Sequence, residues 1–173
     1  MKYRITIAAV LVWVAAFLQS TVLEYIEIFS VRPNLLIVLL VIIALLRSPF
    51  ESAVMGIVLG LLMDILTGKF LGWYALLFFL ASIPISLINQ KIYRDKLFIL
   101  LSFSFIATAV IETSFFLIIF MFGGYEHLGY VLSKIIIPEA LYDSILILPL
   151  FRPLSKLYTL LDSLDRRRNR ISA

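Results

Sequence analysis

The chain has 173 residues, 62% of them hydrophobic and 15% charged, with a net charge of +4, one histidine and no cysteine. With a mean hydropathy of +1.07, it lies outside the range of water-soluble domains, and the bilayer is its solvent. Disulfides, thiolate catalysis and thiolate metal sites are excluded, and a lone imidazole, His127, is a poor basis for a metal centre.

Apolar runs extend over Ile5–Leu23, Pro33–Leu46, Ala53–Leu66, Trp73–Ile88, Leu97–Phe122 and Ile135–Phe151. About 20 helical residues cross ~30 Å of hydrocarbon, so these runs predict an all-α integral membrane protein, a six-helix transmembrane bundle over residues 1–151. The second and third runs are short. They gain length if Val31 and Phe50 join them, or they sit where the bilayer thins.

The first run follows Lys2 and Arg4. It is long for a signal peptide and lacks a small-residue cleavage site, so it reads as an uncleaved anchor. If the N-terminus is inside, twelve of the fifteen basic residues fall on the cytoplasmic side: Lys2, Arg4, Arg47, Lys91, Arg94, Lys96, Arg152, Lys156, Arg166, Arg167, Arg168 and Arg170. Arg32, Lys69 and Lys134 remain outside. This positive-inside bias predicts two cytoplasmic termini in a bacterial cytoplasmic membrane, and it accounts for the net charge without nucleic acid.

The third run carries Gly56-x-x-x-Gly60-x-x-x-Asp64. Spacing of four places all three on one helical face, where the glycines admit a neighbouring helix closely and the acid joins the same seam. Asp64, Glu112 and Asp143 each sit inside an apolar run with no lysine or arginine beside them. A charge in hydrocarbon costs several kcal/mol, so each needs a partner or a task. The expected partners are Gln19, Asn34, Thr113 or Tyr142, with protonation or a basic residue of another subunit as alternatives. Glu139 shares a face with Asp143 and, being near Lys134, reads as an outer-interface residue.

Pro84 is expected to bend the fourth helix, and Pro138 and Pro149 the sixth. After Arg152-Pro153, Leu154, Leu157, Leu161 and Leu164 recur at helical spacing among Lys156, Asp162 and Asp165. Residues 152–173 therefore predict a cytoplasmic amphipathic helix lying on the membrane surface. Its basic tail, Arg166 to Arg170, would attract anionic headgroups at about 1 kcal/mol per charge. Tyr142-Asp143 is half of an intramembrane aspartyl protease site, but the other half, G-x-G-D, is missing. Serine-hydrolase, zinc-protease and Walker motifs are missing too, so the reading is non-enzymatic.

Gln19-Ser20, Pro33-Asn34-Leu35-Leu36, Gly56-x-x-x-Gly60-Leu61-x-x-Asp64 and Leu71-Gly72, in this order, resemble the signature string of the rod shape-determining protein MreD family. Asn34 stands where that family commonly has aspartate. The resemblance implies a non-enzymatic inner-membrane scaffold subunit of the bacterial elongation complex, supporting lateral peptidoglycan synthesis and rod cell shape without a cofactor. It further implies binding to MreC and indirect work with MreB, RodA and a class B penicillin-binding protein. The implied fold is similar to the substrate-binding subunits of energy-coupling-factor transporters, with both termini inside. Gln19, Pro33, Asn34, Gly56, Gly60, Asp64 and Gly72 become a seam for packing or for a partner's transmembrane segment, and self-association through it is equally allowed. The rival is a transport subunit, either a vitamin-binding importer component with a polar pocket open to the outside or a proton-coupled carrier using Glu112 and Asp143. A carrier would more often show internal repeats, and none is found.

Overall fold

The computed structural model describes residues 2–23, 25, 27, 31–68, 71–89, 97–123 and 128–171, with side chains over 6–23, 25, 27, 31–68, 71–88, 97–121 and 129–163. His127, Lys69, Lys91, Arg94 and Lys96 lie outside the described residues, as do the side chains of Lys2, Arg4, Leu164, Asp165 and the basic tail. In chain order the helices are α1 (Lys2–Phe17), continued by a π-helical turn Leu18–Val22, then α2 (Leu35–Leu46), α3 (Pro49–Thr67), α4 (Trp73–Asn89) and α5 (Leu97–Gly123). A short α6 (Leu128–Val131) runs through a second π turn, Leu132–Ile136, into α7 (Ile137–Ile171). The π turns are continuous with their helices, so six helical rods result, with no strand among the described residues.

A helix that is apolar all round is stable only when surrounded. Leu35 through Leu45 of α2 are all buried, and α1, α3, α4, α5 and α7 each pack against this central rod. At 12 residues it is about 18 Å long, shorter than the hydrocarbon layer, so its ends fall inside the protein. The Ser86 hydroxyl of α4 closes one end by donating to the Arg47 carbonyl at 2.8 Å.

Among the described residues, the α3–α4 pair has the most extensive helix contact. It turns through Gly68, which ends α3 at φ 62°, and Gly72, at φ 100°; such backbone favours glycine because a Cβ would clash. On the helix faces, a Cβ at Gly56 would stand 2.9 Å from the Phe78 carbonyl, and one at Gly60 would press on the Tyr74 carbonyl and the Ala75 backbone.

Among the described residues, two helices are long and apolar enough to cross a membrane, Pro49–Thr67 and Leu97–Met121, while Thr6–Val22, Leu35–Leu46 and Trp73–Ile88 are shorter apolar helices. Only 39% and 28% of the two long spans are buried. A soluble core helix would be mostly covered. Here Ile106, Val110, Leu117 and Met121 of α5 face outward, an arrangement that lipid satisfies.

The sixth apolar run and the amphipathic segment are not separate helices. By hydrogen bonding α7 runs 35 residues through Pro149 and Pro153, about 52 Å, and both prolines face outward. The π turn Leu132–Ile136 ends just before Pro138, whose missing N–H disrupts the regular helical ladder there. The leucine stripe expected on a lipid surface instead packs on the bundle: Leu154 and Leu161 are buried and Leu157 borders the core. Arg47 fastens this segment, reaching Asp162 at 2.9 Å and Glu51 at 3.4 Å with its guanidinium 4.4 Å above the Tyr158 ring. Ile7 and Ala8 line one groove with Arg47, Tyr158 and Leu161, so the start of α1 and the distal part of α7 lie at the same end of the bundle.

Candidate functional site

A helix N-terminus leaves backbone N–H groups without intrahelical partners and carries partial positive charge. The fold buries two of them, and each meets a carboxylate. At α2, the Asn34 N–H donates to Asp143 Oδ1 at 2.6 Å, the Leu35 N–H to Gln19 Oε1 at 2.8 Å, and the Ile37 N–H to the capping oxygen of Asn34 at 3.3 Å. The other oxygen of Asp143 accepts from Thr108 at 2.7 Å, and the side chain is fully buried. At α4, Asp64 accepts from the N–H groups of Gly72 at 2.8 Å, Tyr74 at 2.9 Å and Ala75 at 3.3 Å. Backbone N–H groups therefore do much of the work expected of side chains. The hydroxyl at Asp143 belongs to Thr108, not to Thr113 or Tyr142, and no basic residue of a second subunit is needed to satisfy either aspartate.

Beside these helix ends lies a cavity of about 420 Å³ whose lining includes Gln19, Ser20, Arg32, Asn34, Thr67, Tyr74, Glu112 and Glu139. Glu112 accepts from the Tyr74 hydroxyl at 3.1 Å and from the Asn34 amide at 3.3 Å. Tyr74 is held against Phe115, ring centroids 3.9 Å apart. Arg32 is half-exposed, with Glu27 at 3.7 Å. Both π turns contribute, Gln19 and Ser20 from the first and Ile135 from the second. Glu139, half-buried, borders this cavity together with Glu112. Among the described residues no group of three or more acidic or histidine side chains could hold a metal ion.

Over residues 1–161 the sequence matches the family of the rod shape-determining protein MreD. The chain belongs to the MreD family. That family is shape-determining and structural, not enzymatic, and with the two long apolar helices it makes this a membrane protein with a role in rod shape. No curated protein and no solved structure matches the chain.

The residues that carried the MreD resemblance do converge, though in two places. Gln19, Pro33 and Asn34 build the cap of α2, with the Gln19 amide donating to the Pro33 carbonyl at 3.4 Å. Gly56, Gly60, Asp64 and Gly72 form the α3–α4 seam. Of the two uses expected for that seam, the structure displays internal packing: α4 of the same chain fills it, leaving no groove there for a partner's helix or for self-association. Sequence reasoning missed Tyr74 and Thr108. Thr108 had a signal, standing four residues before Glu112 and hence on its face, whereas Tyr74 comes to Glu112 only through the α3–α4 turn.

Proposed function

We propose that this MreD protein is a multi-pass scaffold of the bacterial inner membrane that binds MreC and, through the elongation complex of MreB, RodA and a class B penicillin-binding protein, supports lateral peptidoglycan synthesis. The observation that carries this reading is the family match over residues 1–161, which takes in α1 through α6, most of α7 and the site. The interior supports it physically. Asp64 and Asp143 are engaged by helix N-termini, which fixes α2 and α4 in register and suits a protein presenting a constant shape to partners. With the α3–α4 seam filled, a partner's transmembrane segment has to use an outward-facing helix surface. The end holding Arg47, Lys156 and both chain termini is the cytoplasmic one under the positive-inside rule.

The test is purification of the tagged protein from native membranes in mild detergent, with mass spectrometry of what accompanies it. MreC and wall-synthesis enzymes are the expected companions. The transport reading has one observation in its favour, the polar cavity beside α2, and recovery of an ATPase and a coupling subunit would replace the scaffold reading with it. A second tagged copy in the eluate would add self-association.

A further inference from the structure

The cavity is not accounted for by helix capping. Asp64 and Asp143 are taken up by the ends of α4 and α2, while Glu112 on α5, held by Asn34 and Tyr74, and Glu139 on α7 line a cavity of about 420 Å³, within the range of small-ligand sites. The remaining lining named above is mainly neutral and polar: the Gln19 and Asn34 amides, the Ser20 and Thr67 hydroxyls and the Tyr74 phenol. Asn34 and Tyr74 are 2% and 3% exposed, so the polar wall is deep, and the donors they direct at Glu112 are uncharged. Arg32 is half-exposed beside Glu27. An anion would meet two carboxylates in surroundings of low dielectric, where like charges repel strongly. A bare metal ion would need several oxygens converging within ~2.6 Å, and the described carboxylates do not gather in that way. Ammonium and guanidinium groups differ in kind. They offer three and five N–H donors, matching carboxylates that two different helices present to one cavity.

We infer that this cavity is a binding site for a cation bearing several N–H groups, a primary ammonium or a guanidinium. The volume admits an arginine or lysine side chain of a partner protein or a free amine of similar size. The inference stands apart from the identity of the protein's partners.

The experiment is calorimetric titration of the full chain in lipid nanodiscs with agmatine and with cadaverine, using glutarate as an anion of matching length. Saturable binding of at least one cation and none of glutarate is expected, weakened tenfold or more in Glu112→Gln and in Glu139→Gln. Because either variant could disturb the bundle, Ser20→Trp, which crowds the cavity from an exposed position while leaving both carboxylates in the sequence, is expected to weaken the cation equally while leaving the thermal midpoint unchanged. Silence of both cations, equal binding of glutarate, or unchanged affinity in all three variants overturns the inference. A photo-crosslinking residue at Ser20 then separates the sources in cells. A crosslinked peptide joined at arginine or lysine marks a partner's side chain, a small amine adduct marks a free ligand, and adducts lacking a basic nitrogen count against the site.

Discussion

Asp64 and Asp143 answer the same electrostatic problem in different settings. Asp64 accepts three backbone N–H groups at the turn into α4, whereas Asp143 divides its oxygens between the Asn34 N–H and the Thr108 hydroxyl. Removing an acceptor strands buried donors at about 1–3 kcal/mol each. Asp64→Leu is accordingly expected to lower stability by at least that amount, and Asp64→Asn by less, because an amide oxygen still accepts. Thermal unfolding in detergent, followed by the loss of monodisperse protein, reads the difference. Equal losses in the two variants would mean that the backbone contacts at Asp64 do not matter. Thr108→Val removes a hydroxyl from a carboxylate at 2.7 Å and is expected to cost about 1–3 kcal/mol in the same assay, more than the conservative change in shape would suggest.

Among the helices, the α3–α4 pair is fixed by the space its glycines leave. A methyl at Gly60 would collide with the Tyr74 carbonyl and the Ala75 backbone, and one at Gly56 would press less severely on the Phe78 carbonyl. Backbone on the far side cannot swing aside as a side chain would. Gly60→Ala is therefore predicted to destabilise by about 1–3 kcal/mol, more than Gly56→Ala, while Gly129→Ala, with nothing within 4 Å of the added carbon, serves as the neutral comparison. At the opposite end, Arg47 joins α7 to the α2–α3 corner. Its side chain is 9% exposed and that of Asp162 39%, so solvent screens the pair in part. A double-mutant cycle of Arg47→Leu with Asp162→Ala is expected to give a coupling of about 0.5–1 kcal/mol, and zero coupling would leave the distal part of α7 held by its leucines and by Tyr158.

For the molecule as a whole, the pairing of Ile7 and Ala8 with Tyr158 and Leu161 along one groove fits the two cytoplasmic termini proposed above. Fluorescent-protein fusions at the two chain ends are predicted to be bright, as cytoplasmic fusions are. A periplasm-dependent phosphatase fused after Gly68 is predicted to be active. An active phosphatase at either terminus would reverse the orientation.

Element existence was legible because apolar run length and composition depend on the solvent around each residue, and that pattern is written locally. The six runs became six rods, and Gly56, Gly60 and Asp64 share a face because helical periodicity alone requires it. The seam's occupant was not legible: the motif states that something approaches closely, and only the turn through Gly68 and Gly72 brings α4 of the same chain there. The acids show the same division. Their cost in hydrocarbon could be read from their neighbours, and Gln19 and Asn34 were identified, yet the donors at Asp64 and Asp143 are mostly peptide N–H groups, which every non-proline residue carries and no sequence pattern distinguishes. Likewise, the leucine stripe after Pro153 fixed an apolar face. Whether lipid or protein covered that face was decided by the continuation of α7 and the reach of Arg47 to Asp162, contacts between residues 115 apart in the chain.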